Sequence, residues 1–384
     1  MPTAPPDVLT PRALNRALLA RQGLLERFDA PVVEVVEAIG AMQGQAWGAL
    51  PVGLWTRMSS FAPADLYAAL AREELVWGIG IRGTLHLVSA REHPHYAVVS
   101  ADGWTSSWQR ALPETTPAMD DLRAALLRLA GERPRTNEEI RALAEEWVRE
   151  HPDAIDPREV DAQRALSWRP IYRWSSLARV PADGAWGSKA PPDHRAAPVP
   201  PGRADAPGPD AALAEVVRRH LRAFGPAAAE DVAYWTGVRA PAARAVLESG
   251  DGDLARFGDE LGRTLYDLPD APRPDADSPA APRLLGAFDS TLLAYHAQRR
   301  DRIVPPELRD VVYLKKNLQV KPTFLVDGLV AGTWSAEVRR GEAVLTLAPA
   351  GRLRKADRAA LEAEATGLLE ALHPQARGHR VVDA

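Results

Sequence analysis

The run DAALAEVVRRHLRAF (residues 210–224), then Gly225-Pro226, then AAAEDVAYW (227–235) decides the fold. Apolar residues recur at helical spacing through Asp210–Phe224, which predicts a helix. Gly225-Pro226 breaks it, and Ala227–Trp235 predicts a second helix. Pro241–Ser249 predicts a third, and Leu254–Phe257 with Thr264–Leu268 predicts a hairpin. Helix, turn, helix, helix and hairpin together describe a winged helix.

The same order is legible twice upstream. Pro11–Gln22, with Thr10 as cap and Pro11 at the first helical position, predicts a helix, as do Pro31–Met42 and Ala64–Arg72. Leu75-Val76-Trp77 and Gly83–Val88 then read as extended. In the next pass Met119–Ala130 is helical, and Thr-Asn-Glu-Glu from Thr136 is a capping box that opens Asn137–Arg149. Pro157–Ser167 is a third helix there, and Trp174–Trp186 is the candidate wing. Pro181–Pro209 and Pro269–Pro282 are rich in Pro, Ala and Asp and read as linkers. Thr323–Trp334 is a hairpin pattern turning at Asp327-Gly328. Glu342–Leu347 is a strand and Ala356–Leu372 a C-terminal helix. The predicted class is α+β, mainly α: three tandem winged-helix units at 1–105, 106–190 and 191–268 (the last including its linker), with a small β-rich C-terminal region over 269–384.

Composition bounds the function. The 384 residues contain no cysteine, which excludes disulfides, cysteine nucleophiles and thiolate metal sites. The proline-rich segment Met1–Thr10 has no apolar signal-peptide core, no apolar run approaches bilayer length, and a cytoplasmic, nucleoid-associated location with no membrane partner is expected. The net charge of -4 argues weakly against nucleic acid, but the charge is segregated. Residues 296–321 hold seven Arg or Lys against three acids, and residues 137–156 hold seven acids against two Arg. One surface that attracts phosphate and another that repels it would result; two solvated surfaces without a partner are the alternative.

Five segments in order resemble the winged-helix DNA glycosylases of the AlkZ and YcaQ type. They are Gly40-Ala41-Met42-Gln43-Gly44-Gln45 with Gly53-Leu54-Trp55-Thr56-Arg57; Ile81–Val88; Gly225-Pro226 with Asp231–Gly237; Ala287-Phe288-Asp289-Ser290-Thr291-Leu292-Leu293; and Leu325–Gly328 with Gly332-Thr333-Trp334. The resemblance implies three tandem winged helices around a DNA channel and a catalytic Gln-x-Gln motif at Gln43 and Gln45. The branch it points to is linked to self-resistance against DNA-alkylating antibiotics. One departure is Gly44, where the middle residue is usually aliphatic.

The chemistry is consistent with two glutamines. Glycosidases usually need two carboxylates, one of them an acid for the leaving group. An N7-alkylated purine is already cationic and departs as a neutral base, so no acid is required. What remains is an oxocarbenium-like sugar and a water to attack it. An amide can hold and orient that water with its acceptor and donor groups. The plain alternative is that Gln43 and Gln45 merely end the helix Pro31–Met42. Candidate substrate and DNA contacts are Trp47, by stacking, and His86, with Arg299, Arg300, Arg302, Lys315, Lys316 and Lys321 for phosphates. Core packing for Trp47, a backbone bond for His86 and a solvated surface for the cations are the competing readings.

No metal site or other cofactor is expected, since His93-Pro94-His95 is broken by proline and lies near no acid cluster. No lysine adjoins the glutamines to form a Schiff base, so a monofunctional hydrolase acting on double-stranded DNA as a monomer is expected. The alternative class is a non-enzymatic winged-helix DNA-binding protein, a regulator or an adduct binder.

Overall fold

The computed structural model describes residues 7–101, 112–168, 176–188, 192–198, 206–249 and 254–384. The first pass along the chain comprises β1 (Val8–Leu9), α1 (Pro11–Arg21), α2 (Val32–Ala38), β2 (Met42–Gln43), α3 (Ala49–Arg57), α4 (Pro63–Ala71), β3 (Leu75–Ile79), β4 (Leu85–Ser89) and a helix over 93–101 (α5). The second comprises α6 (Thr116–Glu132), α7 (Asn137–Glu150), α8 (Pro157–Ala165), β5 (Leu177–Pro181) and β6 (Pro192–Ala196). The third comprises α9 (Pro209–Phe224), α10 (Ala229–Thr236), α11 (Ala240–Glu248), β7 (Ala255–Asp259) and β8 (Thr264–Asp267). Beyond it lie β9 (Arg283–Leu285), α12 (Arg309–Val312), β10 (Tyr313–Leu314), β11 (Gln319–Val320), β12 (Thr323–Val326), β13 (Leu329–Arg339), β14 (Glu342–Pro349), α13 (Lys355–Leu372) and β15 (Gly378–Asp383). The protein is a mixed α and β structure.

The chain forms two compact units. One consists of Met1–Ala68, Val217–Trp235 and Arg239–Ala384. Its largest sheet has the order β15-β14-β13-β12-β9, antiparallel except for the parallel pair β14–β15. Alternation along β14 sends Ala343, Leu345 and Leu347 inward against Leu361, Ala365, Leu368 and Leu369 of α13. Val52 of α3 enters the same core. Each of the leucines and Val52 contributes about 1.5–3 kcal/mol on burial. The β12–β13 turn is Asp327-Gly328, both at positive φ (48° and 80°), as a tight hairpin turn requires. Only glycine fits at 328: an added Cβ would lie 2.4 Å from the Asn15 Oδ1 atom. The Asn15 side chain donates to the Gly328 and Arg302 carbonyls at 2.8 and 2.7 Å, and Arg12 and Arg16 both pair with Asp327. Those bonds tie α1 to the turn. Elsewhere in the unit Arg21 and Asp267, both fully buried, pair at 2.7 Å.

The other unit consists of Ala69–Val216 and Thr236–Val238. Its strands run in the order β4-β3-β5-β6, and each neighbouring pair is antiparallel. The helices α6, α7 and α8 enclose a core of Met119, Leu122, Leu126, Ile140, Ala144, Val160 and Trp168. Thr136 and Glu139 form the capping box read from the sequence. Among the described residues, no helix is long and apolar enough to cross a membrane.

Several elements differ from the sequence reading, four of them instructively. The helix expected over Pro31–Met42 ends at Ala38, because Gly40 takes φ +76° and turns the chain into β2. Helix α3 is new; its apolar run packs on two sides and shows no simple stripe. The second hairpin pairs β5 with β6, so part of the stretch read as a linker is a strand, and Trp174 lies outside the described residues. Strand β15, half-buried and polar in places, carries too weak an alternation to be read alone.

Candidate functional site

The turn at Gly40 places Met42 and Gln43 in extended backbone, where a helix would have continued. Gln43 is half-buried, and Gln45 follows in a bend and is exposed. Gln43 lines a small, partly open cleft together with Ile39, Met42, Gly53, Arg57, Phe288, Asp289 and Ser290. Gly53 faces Met42: a Cβ there would sit 2.8 Å from the Met42 Cε atom, the movable end of that side chain.

Two of the residues lining this cleft, Arg57 and Asp289, form a buried ion pair. Arg57 Nη1 and Nη2 donate to the two carboxylate oxygens of Asp289 at 2.9 and 2.8 Å. Arg57 Nη1 also donates to the Gly53 carbonyl, and Nη2 to the Gln22 Oε1 atom at 3.4 Å. Gln22, fully buried, in turn donates to the Ile39 carbonyl at 3.0 Å, where α2 ends. Asp289 caps the short helical turn Ser290–Leu292, its carboxylate accepting from the backbone N–H and the hydroxyl of Thr291. Burial would raise the Asp289 carboxyl, but the charge of Arg57 and the bonds from Arg57 and Thr291 outweigh it, and the carboxyl is held below its ordinary range.

Ser290 joins that turn to the glutamine segment. Its hydroxyl donates to the Ala41 carbonyl at 3.1 Å and accepts from the Gln43 backbone N–H at 3.3 Å. Two of the five segments that carry the family resemblance therefore meet in one place: 40–45 with 53–57, and 287–293. Sequence reasoning named Gln43 but missed Arg57, Asp289 and Ser290 as parts of the site. Their presence in the shared segments was the sole signal that could have found them.

The other candidates fall elsewhere. Trp47 is half-buried and stacks on Tyr67, with ring centroids 6.4 Å apart. His86 is buried in β4, where its Nδ1 atom bonds the Thr84 carbonyl at 2.9 Å. Burial and then the charge of Arg82 push its pKa down to about 3, so it is neutral at ordinary pH and brings no charge to a phosphate. Arg300 and Arg302 are each 5% exposed. Arg300 lies over the rings of Tyr313 and Tyr234, and Arg302 lies 4.0 Å from the Tyr295 centroid and donates to the Pro226 carbonyl. In this structure both guanidiniums are engaged by aromatic faces and carbonyls of the interior. Arg299 is part-exposed and lies 3.6 Å from Glu230. Lys315 and Lys316 stand exposed at the tip of the β10–β11 hairpin, Lys315 within 2.9 Å of Asp310, and Lys321 is half-buried. Among the described residues no group of three or more His, Cys, Asp or Glu is arranged to hold a metal ion.

The chain belongs to the AlkZ-like DNA glycosylase family, whose match covers residues 36–371. A curated relative, the interstrand DNA cross-link repair glycosylase of Streptomyces sahachiroi, is 26% identical over 353 residues, spanning 86% of this chain and 88% of the relative. The solved structure of the Streptomyces sahachiroi DNA glycosylase AlkZ superposes with a TM-score of 0.76 at 22% identity, covering 98% of this chain and all of that one. At that identity the likeness establishes the shared fold.

Proposed function

We propose that this protein is a monofunctional DNA glycosylase that hydrolyses the N-glycosidic bond of alkylated purines in double-stranded DNA, with bulky N7-alkylguanine adducts as its substrates. The observation that carries the reading is that Gln43 lines a cleft built largely from two of the segments that carry the resemblance to the DNA glycosylase family. Gln43 and Gln45 hold the attacking water beside the sugar carbon of the damaged nucleotide. The cationic base leaves without an acid, which accounts for a catalytic pair that cannot titrate. Normal purines, lacking the positive charge, are left intact. The relative's action on interstrand cross-links supports including cross-linked adducts among the substrates, and with them a role in self-resistance to a DNA-alkylating natural product.

Three helix-and-hairpin successions, α1 to β4, α6 to β6 and α9 to β8, are read as winged-helix units, and the protein is read as acting on duplex DNA as a monomer. The test is incubation with a duplex carrying one N7-methylguanine, followed by assay for abasic sites. Abasic sites without strand nicking are expected. Tight binding with no base release would instead favour an adduct-binding protein.

A further inference from the structure

Glycine at 44 leaves the backbone between the two glutamines without the restraint that a side chain imposes. A pair of amides that must place one water tolerates little wandering, since a displacement of about 1 Å can cost a hundredfold in rate. Something outside the segment has to hold it. Ser290 bonds the segment at two backbone points, the Ala41 carbonyl and the Gln43 N–H. Ser290 is itself fixed. It follows Asp289, which is locked by two bonds from Arg57 and two from Thr291. It is also 8% exposed, so water does not readily replace its hydroxyl.

We propose that Ser290 is a positioning residue: through its hydroxyl it clamps the backbone of the Gln43 segment and supplies the rigidity that Gly44 withholds. This inference rests on the reading of Gln43 and Gln45 as the water-holding pair. Ser290 touches neither water nor sugar; it acts through the backbone of residues 41 and 43. The Arg57–Asp289 pair acts one step further back, by fixing the turn from which Ser290 reaches.

The experiment compares the full-length protein with Ser290→Ala and Ser290→Thr. Single-turnover excision of N7-methylguanine is expected to fall about ten- to a hundredfold in Ser290→Ala, with affinity for the same duplex held within about twofold. Ser290→Thr keeps the hydroxyl and is expected to restore most of the rate. Amide hydrogen exchange over residues 41–46 should quicken about tenfold in Ser290→Ala while exchange in α13 is unchanged, a local response that general destabilisation would not produce. Exchange needs no catalysis, so it tests the clamp even if Ser290→Thr folds poorly. Wild-type excision with an unaltered Ser290→Ala rate, or unchanged exchange over 41–46, would overturn this inference alone. Failure of the wild-type protein to excise would overturn the glutamine reading and this inference with it.

Discussion

The cleft around Gln43 and the hairpin at Lys315 and Lys316 belong to one compact unit and use polar groups in opposite ways. In the cleft, Arg57, Asp289, Gln22 and Ser290 are buried, and each spends its bonds on another part of the protein. At the hairpin tip, Lys315 is 86% exposed and pairs with an exposed aspartate. Buried polar groups fix geometry, because leaving one unpaired is expensive. Exposed cations fix nothing but shape the field that a polyanion meets. The same chain thus separates a buried, fixed polar network from an exposed pair of cations. It follows that substitutions in the two regions should fail in different assays.

The largest effect is expected from Arg57→Met. It strands the Asp289 carboxylate in the interior and should cost about 3–5 kcal/mol of stability, measured by urea unfolding. Adding Asp289→Asn should recover part of that loss. Unfolding of the single variant at the wild-type midpoint would break the comparison, because it would make the buried network ornamental.

Next in size are Gln43→Ala and Gln45→Ala. Each is expected to lower single-turnover excision by tens- to thousands-fold, equivalent to about 2–4 kcal/mol of transition-state stabilisation. Stability and duplex affinity should stay near the wild-type values, since neither side chain carries charge. If both variants excise normally, the pair has no part in the reaction.

His86 sharpens the contrast by pH. A free imidazole titrates near 6.5, and burial in this fold lowers the value to about 3. As pH falls below 6.5 the unfolded chain takes up a proton that the folded chain refuses until about pH 3. The stabilisation is therefore present above pH 6.5 and is lost progressively as pH drops toward 3, with a slope approaching about 1.4 kcal/mol per pH unit from this group. His194, lowered to about 4 by burial and by Arg179, adds to the same trend. Urea midpoints between pH 7 and 4.5 should show a shallower dependence in His86→Gln. An unchanged slope would mean that His86 titrates normally in the folded protein.

The smallest effect on the fold is expected at the hairpin tip. Lys315→Ala with Lys316→Ala should leave the melting temperature within about 2 °C. It should weaken duplex binding for every sequence alike and reduce the slope of log affinity against log salt by about 0.9 for each phosphate that the lysines no longer neutralise. An unaltered slope would show that this hairpin does not face DNA.

Much of the architecture is local and was therefore legible. Helical spacing, the Gly225-Pro226 break and the Asp327-Gly328 turn act over a few residues, and α9, α10, α11, β8, β12 and α13 stand close to where those signals place them. The capping box at Thr136 is satisfied within four residues for the same reason. The sequence alone also picked out Gln43 and Gln45, through a family resemblance that physics could only judge compatible. What made a cleft of that segment was tertiary. Arg57 and Asp289 are 232 positions apart, and Gln43 and Ser290 are 247 apart, so no window of sequence contains either pairing. The basic run from 296 to 321 shows the same limit from the other side. Its charges were countable, but burial was not, and packing placed tyrosine rings against Arg300 and Arg302 while leaving Lys315 in water. Charge is a property of a residue and can be read from its letter; solvation belongs to its neighbours, and only the folded chain chooses them.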